Sequence, residues 1–202
     1  RRQRQMCIRD RMPPILFNET IDGKSTPVVA DGDKGGNFWL LNAQTGNVLD
    51  HLAVSMQYNQ NSEPSLKGNI ACPNTNGGVE YNGGSYDPKT NMIYLPSSDE
   101  CGFWRATKNV VYIAGQFYLG GAFPKFVGPN TGQLNAIDMS TGVFAWRKHS
   151  DLPMIGGALS TSTGLVFTGL ENGDFNAYDA STGKQLWSYD TGSPIILSLI
   201  HI

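Results

Sequence analysis

The chain has 202 residues, of which 24 are glycine and 11 are proline, while only 16% are charged and the formal charge is −2. This composition is typical of a turn-rich all-β protein. No apolar run is long enough for a membrane-spanning helix, and outside the N-terminus there is no basic cluster of the kind that binds nucleic acid.

The two ends of the chain do not follow the pattern of the rest. Arg1–Arg11 carries five arginines against one aspartate and has no apolar period, and Ser198–Ile202 breaks off a strand-and-turn pattern. Both ends resemble translated library-adapter sequence. We therefore expect residues 1–11 and 198–202 to be non-native or disordered, and the folded domain to occupy residues 12–197. The alternative is a basic patch for nucleic acid or a membrane, but no second basic cluster supports it, so we expect no nucleic-acid partner.

The first predicted repeat unit lies at residues 40–50, and the same pattern returns twice further along the chain. Residues 136–146 (AIDMSTGVFAW) and 177–187 (AYDASTGKQLW) both read Ala-x-Asp-x-x-Thr-Gly-x-x-x-Trp and begin 41 residues apart. The first copy keeps the Thr-Gly pair but has Asn42 for the aspartate and Asp50 for the tryptophan. A period of this size predicts a repeat architecture, and we interpret each copy as the outer half of one blade of a β-propeller. Two ordinary hairpins with similar turns are the alternative, which the identical spacing disfavours.

An insertion is predicted in the middle of the chain, because 96 residues separate Asn42 from its counterpart Asp138. That separation exceeds two blade periods. The intervening blade would begin with the hairpin Ser85–Pro96 and continue into a Gly-rich, aromatic excursion over Ser97–Gln133. Excursions of this length on a rigid scaffold usually line or cover a site, or are disordered.

The last repeat unit predicts a complete blade. Asn172-Gly173 is a strong hairpin signal for a type I′ turn, which needs positive φ at both central positions. The Ala and Gly of the pattern leave room for the tryptophan of a neighbouring blade to dock, so Trp146 and Trp187 should occupy equivalent places. The expected fold class is therefore all-β, a partial β-propeller of about four four-stranded antiparallel blades. From the innermost outward, the strands of the last blade are Gly156–Thr161, Gly164–Glu171, Asp174–Asp179 and Lys184–Tyr189.

Three segments in order resemble the C-terminal half of the pyrroloquinoline quinone (PQQ)-dependent alcohol dehydrogenases. They are Asp22-Gly23-Lys24 with Lys34–Asn42, Cys72-Pro73 with Gly77–Pro88, and Met154–Phe175. The resemblance runs from about Met12 to Ile196. It implies a fragment, about half of an eight-bladed periplasmic propeller that oxidises a small-molecule alcohol or polyol by hydride transfer to PQQ.

The resemblance also implies cofactors and partners. PQQ and a calcium or lanthanide ion would lie on the propeller axis, and a cytochrome c or a quinone would accept the electrons. The catalytic base and the metal ligands of the family would lie upstream of Met12, so we assign no catalytic residue and no metal ligand to this chain. The three histidines share no metal-ligand spacing. The missing upstream half of the propeller is thus an expected partner, and the chain alone should be inactive.

Lys34 is the strongest candidate for a cofactor contact. In the family, a lysine or arginine at this place approaches the quinone oxygens, where a cation would stabilise the negative charge that develops as hydride arrives. The alternative is a solvated turn lysine beside Asp31 and Asp33, since Asp-Gly-Asp-Lys-Gly-Gly is turn composition.

Tyr81 and Asn82 are weaker candidates for cofactor binding. The family usually has a tryptophan at Tyr81, so the ring could pack beside the quinone or, alternatively, in the core. Asn82 is a candidate hydrogen-bond partner of the quinone, and we interpret Glu80 only as a neighbour.

Cys72 and Cys101 flank the predicted hairpin Ser85–Pro96, which would bring the two thiols together. In an oxidising compartment they would form a disulfide that stabilises the fold by about 3–4 kcal/mol. Two buried free thiols are the alternative. The adjacent pair Asp99-Glu100 is interpreted as a polar loop pair rather than a catalytic one.

Two functions of other classes compete with the dehydrogenase. A non-enzymatic propeller scaffold of the outer-membrane assembly type carries the same docking pattern, but it should lack the Cys-Pro…Gly-Gly-Val segment and the long excursion. A propeller that binds carbohydrate or peptide would need aromatic residues exposed on one rim.

Overall fold

The structure is a computed structural model that describes residues 12–63, 65–116, 118 and 124–196. The two ends that we expect to be non-native, 1–11 and 198–202, lie outside the described residues. Within the described part of the chain the regular structure consists of thirteen strands. They are β1 Ile15–Ile21, β2 Lys24–Gly32, β3 Asn37–Asn42, β4 Val48–Ala53, β5 Asn69–Ala71, β6 Ser85–Asp87, β7 Met92–Trp104, β8 Lys125–Asp138, β9 Val143–Ser150, β10 Ala158–Ser160, β11 Leu165–Gly169, β12 Asp174–Asp179 and β13 Gln185–Asp190.

The strands form antiparallel sheets in which neighbours in sequence are neighbours in space. The first blade has the order β1-β2-β3-β4 and the third β10-β11-β12-β13. The second blade, between them, is β6-β7-β8-β9, and β5 pairs with the far end of β7. A four-stranded meander repeated in this way is the unit of a β-propeller. The predicted partial propeller is therefore confirmed, with three blades in the described residues where about four were expected.

The eleven-residue pattern has the same structure in all three blades. Its first and last residues face each other across the two outer strands, as Leu40↔Asp50, Ala136↔Trp146 and Ala177↔Trp187. Next to each of these pairs the register shifts, because one residue of the outer strand is left unpaired. A side-chain oxygen closes each turn by accepting backbone N–H groups; the oxygens belong to Asn42, Asp138 and Asp179. Asn42 can replace aspartate because its amide oxygen is an equivalent acceptor.

Neighbouring blades dock through the tryptophan of the pattern. The Trp146 indole donates its Nε1–H to the Ala180 carbonyl at 2.9 Å, and a Cβ on Gly183 would lie 2.6 Å from the Trp146 ring. In the first blade Asp50 takes the equivalent place, so close to Gly142 that a Cβ there would collide with its carboxylate. The glycines of the second and third copies thus each receive the last residue of the preceding copy, as the sequence predicted for tryptophan.

Two apolar clusters hold the three blades together, and β7 contributes to both. Ile93 and Leu95 pack toward the first blade, while Met92 and Tyr94 pack toward the third. This alternation follows from the period of two along a strand. The clusters are centred on Met12, Val28, Ala30, Phe38, Leu40, Val54 and Ile137 on one side, and on Leu134, Ala136, Met154, Val166, Tyr178 and Ala180 on the other.

Two local predictions are corrected by the structure. Both ends of the excursion Ser97–Gln133 are regular, because β7 and β8 continue as one hairpin until Phe103 pairs with Lys125. The Asn172-Gly173 turn is not type I′, since only Gly173 has a positive φ, of 97°. Asn172 instead accepts the Asp174 N–H with its Oδ1 at 3.1 Å, which favours a conventional turn at that residue. No helix in the described residues has the length and apolar character needed to cross a membrane.

Candidate functional site

The site is built around Lys34, at the turn that joins β2 to β3. The Asp33 carboxylate fixes this turn, accepting the Asn37 backbone N–H at 3.0 Å and the Trp39 indole N–H at 2.8 Å. Gly36 closes the turn with a φ of 78°. The lysine side chain therefore projects from a braced loop.

Lys34 binds a segment of chain that belongs to the next blade. Its Nζ donates to the Thr75 carbonyl and to the Glu80 carboxylate, each at 3.3 Å. The Lys34 side chain is 32% exposed and that of Glu80 only 13%. Lys34 is thus held against Thr75–Glu80, and the interpretation as a solvated turn lysine does not describe it.

Two glycines allow this close approach. The Gly78 N–H donates to the Lys34 carbonyl at 2.9 Å, and the Val79 N–H donates to the Asp33 carbonyl at 3.2 Å. Gly77 has a φ of 81°, and a Cβ on it would lie 2.7 Å from both Cβ and Cγ of Lys34. A Cβ on Gly78 would come equally close to the backbone of Gly36. Because they lack side chains, Gly77 and Gly78 can pack directly against the turn that carries Lys34.

Tyr81 and Asn82 follow the ion pair but lie in different surroundings. Tyr81 is 48% exposed, so its ring is not part of the core. Asn82 is buried, and its Nδ2 donates to the carbonyls of Ile155 at 2.5 Å and Ile196 at 2.7 Å. These two bonds connect the chain just before the second blade to the residues that precede and follow the third blade. Since both amide hydrogens are used, Asn82 retains only its Oδ1 for a ligand.

The acids Asp99 and Glu100 are not a loop pair, because both lie on the buried strand β7 and point to opposite faces. Asp99 accepts the Met56 N–H at 2.6 Å and the Gln133 side chain at 2.9 Å, which makes it a structural brace. Among the described residues, the Glu100 carboxyl accepts only from Asn76 Nδ2, at 3.3 Å. The pKa of Glu100 is raised to about 7, mainly by burial and to a smaller extent by the charges of Glu171 and Glu80, while the hydrogen bond from Asn76 acts in the opposite direction.

The disulfide Cys72–Cys101 anchors the Thr75–Glu80 segment to β7. The two Cα atoms are 4.3 Å apart, and both cysteines are buried. Beside the bond lies a cavity of about 340 Å³, on the face of β7 opposite Glu100, lined by Met56, Gln57, Tyr58, Ile70, Val127 and Gly128. The bond thus fixes the chain just before the residues that hold Lys34.

Several buried polar atoms near this segment have no hydrogen-bond partner among the described residues. They are Glu100 Oε2, Ser98 Oγ, Thr75 Oγ1 and both side-chain atoms of Asn74. Such atoms cost about 1–3 kcal/mol each when nothing satisfies them. Of these groups, the hydroxyls of Ser98 and Thr75 and the amide of Asn74 can donate hydrogen bonds to ligand oxygens, as the Lys34 ammonium can. The described residues contain no group of three or more His, Cys, Asp or Glu side chains that could hold a metal ion.

Sequence reasoning singled out Lys34, Tyr81 and Asn82 as candidates, but it did not identify the contacts of two acids in this region. Glu80 was interpreted as a mere neighbour, although it pairs with Lys34 from 46 positions away. Glu100 was missed because Ser-Ser-Asp-Glu has loop composition. The only available signal was the apolar run Met92–Leu95, which lies several residues before Glu100 on the same strand.

Comparison with known proteins extends over nearly the whole chain. The quinoprotein alcohol dehydrogenase PedH of Pseudomonas putida is 30% identical over 207 residues, which covers 90% of this chain and 34% of that protein. A lanthanide-dependent methanol dehydrogenase of Methylacidiphilum fumariolicum is 28% identical over 180 residues, 77% of this chain and 29% of its own. The chain therefore spans about a third of the length of these relatives.

A solved structure and a family model also match the chain, over different lengths. A europium-containing methanol dehydrogenase superposes with a TM-score of 0.80 at 27% identity, over 93% of this chain and 36% of that one. Residues 124–200 match a family model described as outer membrane protein assembly factor BamB. That match covers the third blade and strands β8 and β9 of the second, but not β6, β7, Lys34 or the Thr75–Glu80 segment.

Proposed function

Because this chain is homologous to quinoprotein alcohol and methanol dehydrogenases over nine-tenths of its length, we propose that the protein it comes from oxidises an alcohol or polyol by hydride transfer to PQQ. The observation that carries the proposal is the Lys34 site. A cation is held on a rigid turn next to buried polar atoms that no described residue satisfies. An oxygen-rich anionic quinone has the chemistry to satisfy them.

Lys34 has the principal role in this proposal. The quinone, when bound, would supply the hydride acceptor, and its oxygens gain negative charge as it is reduced. A preorganised ammonium stabilises such charge without having to reorganise. Glu80 positions that ammonium, because it holds Nζ at 3.3 Å and lies mostly out of water.

Tyr81 and Asn82 have supporting roles in the proposal. The exposed ring of Tyr81 can pack beside a flat ligand, and the Oδ1 of Asn82 can accept from one. The two amide hydrogens of Asn82 instead hold the third blade in place. We therefore rank Lys34 first, Tyr81 second and Asn82 third.

The metal ion, the catalytic base and the electron acceptor belong to the same proposal. A calcium or lanthanide ion and the base would be supplied by parts of the protein outside this chain, and electrons would pass to a cytochrome c or a quinone. A buried disulfide supports a periplasmic location, since such bonds persist in oxidising compartments. The chain alone would then be inactive.

A scaffold function is the second candidate, and the match of residues 124–200 to the assembly-factor family favours it. The dehydrogenase proposal accounts for more of the chain, because similarity to the dehydrogenases covers 90% of it and the scaffold match 77 residues. A direct test is reduction of a dye by the full-length protein with a primary alcohol, with and without added PQQ. Activity that depends on PQQ supports the dehydrogenase; folded protein that neither binds PQQ nor reduces the dye supports the scaffold.

A further inference from the structure

Glu100 is the most unusual polar residue of the described chain. It is 2% exposed, and its Oε2 has no hydrogen-bond partner among the described residues. Within the described part of the chain, the one hydrogen bond to its carboxyl comes from Asn76 to Oε1, at 3.3 Å. Native proteins rarely leave a buried carboxyl half-satisfied, because desolvation is costly and nothing offsets it.

The position of Glu100 connects it to the Lys34 site. Asn76, which bonds Glu100, lies between Thr75 and Gly77, and both of those residues touch Lys34. Gly78, in the same segment, connects it to β7, because its carbonyl accepts the Ser98 N–H at 2.8 Å. One short segment therefore packs against Lys34 and against β7 where Glu100 lies.

Burial is the main cause of the raised pKa of Glu100, and the charges around it act in the same direction. Glu80 and Glu171 are the carboxylates whose charges act on it, one from the Lys34 ion pair and one from the β11–β12 turn of the third blade. Neither is a cation that would stabilise an ionised Glu100. Burial acts in the same direction, so the neutral acid is favoured near neutral pH.

We propose that Glu100 is a second ligand-binding group of the Lys34 site, which as a neutral acid donates its Oε2–H to an oxygen of the bound molecule. The inference rests on the proposed function in so far as that molecule is PQQ. A neutral acid that donates to a carboxylate oxygen forms a charge-assisted hydrogen bond. Lys34 and Glu100 would thus bind the same oxygen-rich ligand, one as a cation and one as a neutral donor.

The proposal predicts that ligand binding is linked to one proton. Since only the neutral acid can donate, binding is strong below the pKa of Glu100 and weakens above it, by up to about tenfold for each pH unit. A glutamine at this position keeps a donor and cannot ionise. Glu100→Gln should therefore bind the ligand with an affinity that does not fall in this way.

The test measures the Kd of PQQ for the full-length metal-loaded protein between pH 5.5 and 8.5, by quenching of tryptophan fluorescence. The wild type should lose affinity above about pH 7, whereas Glu100→Gln should not. Asp151→Asn, at a fully exposed acid, is the matched control and should follow the wild type. Ionisation elsewhere in the protein or in PQQ would affect all three proteins alike.

The outcomes separate this inference from the proposed function. If wild type and Glu100→Gln show the same pH dependence, Glu100 does not bind the ligand, and the dehydrogenase proposal is unaffected. If the folded wild type binds no PQQ at any pH, both the proposed function and this inference are wrong. A pH dependence that is lost only in Glu100→Gln supports both.

Discussion

Gly77 lies flat against the side chain of Lys34, with room for a hydrogen atom but not for a methyl group. A Cβ built on Gly77 would stand 2.7 Å from the Cβ and the Cγ of Lys34. The two residues are 43 positions apart and belong to successive blades. This contact determines where the lysine ammonium is held, so it offers a way to move the charge without removing it.

Gly77→Ala should therefore displace Lys34 as well as strain the backbone. The φ of 81° alone costs about 1 kcal/mol or more for a residue with a side chain. Gly164→Ala is the matched control, because its φ is 84° and nothing lies within 4 Å of the added Cβ. We expect Gly77→Ala to lose more unfolding free energy in urea and to weaken PQQ binding severalfold. Equal losses of stability, with PQQ affinity unchanged in both variants, would contradict the proposed contact.

Removing the charge of Lys34 should affect turnover more than stability. Lys34→Ala eliminates a cation that, in the proposed function, stabilises the reduced quinone, so we expect kcat for alcohol oxidation to fall by a factor of about 100. Lys24→Ala, at an exposed lysine on the first residue of β2, should leave kcat unchanged. An unchanged kcat in Lys34→Ala, measured with saturating PQQ, would rule out this role.

The two tryptophans of the repeat pattern should differ in their contribution to the stability of this chain. Trp146 is docked on the third blade, with its indole N–H bonded to Ala180, whereas Trp187 is 47% exposed. Trp146→Ala should lower the unfolding free energy by about 2–4 kcal/mol and Trp187→Ala by less than about 1 kcal/mol. Chemical denaturation of the 202-residue chain measures both. Similar losses would show that the Trp146 contact does not join the blades.

The Cys72–Cys101 disulfide should be a major source of stability. Its loop spans 29 residues and holds the segment that carries Glu80. Replacement of both cysteines by serine should cost about 3–4 kcal/mol in the chain-entropy description. Urea unfolding of oxidised, reduced and Cys72→Ser/Cys101→Ser protein checks this. An oxidised protein no more stable than the reduced one would exclude the stabilising role.

The stability of the chain should fall as pH rises, because of Glu100. Its folded pKa of about 7 lies above the ordinary value of 4.5, so between these two pH values the folded state binds more protons than the unfolded state. Stability from this group is therefore full below about pH 4.5 and is lost up to about pH 7. The loss should be no more than about 3 kcal/mol, and Glu100→Gln should remove it. Unfolding at pH 5 and pH 8 compares the two proteins. An identical change in both would contradict the raised pKa.

The sequence by itself determined the repeat and the register of each blade. Asn42, Asp138 and Asp179 close their own turns, and each last residue of the pattern pairs with the first across two adjacent strands. These interactions lie within eleven residues, so composition and spacing suffice to predict them. The prediction of a type I′ turn at Asn172-Gly173 was wrong, because two residues alone do not determine the turn type. In the structure the Asn172 side chain accepts the Asp174 N–H instead.

Only the tertiary structure decided what the polar residues of the site do. The side chain of Glu80 meets Lys34 across 46 positions, and that of Asn82 reaches Ile196 across 114. Whether the carboxyl of Asp99 or of Glu100 finds hydrogen-bond partners depends on which residues pack against each face of β7. The physical reason is that local pattern sets the alternation of a strand, whereas the partners on each face come from elements that approach only when the blades pack.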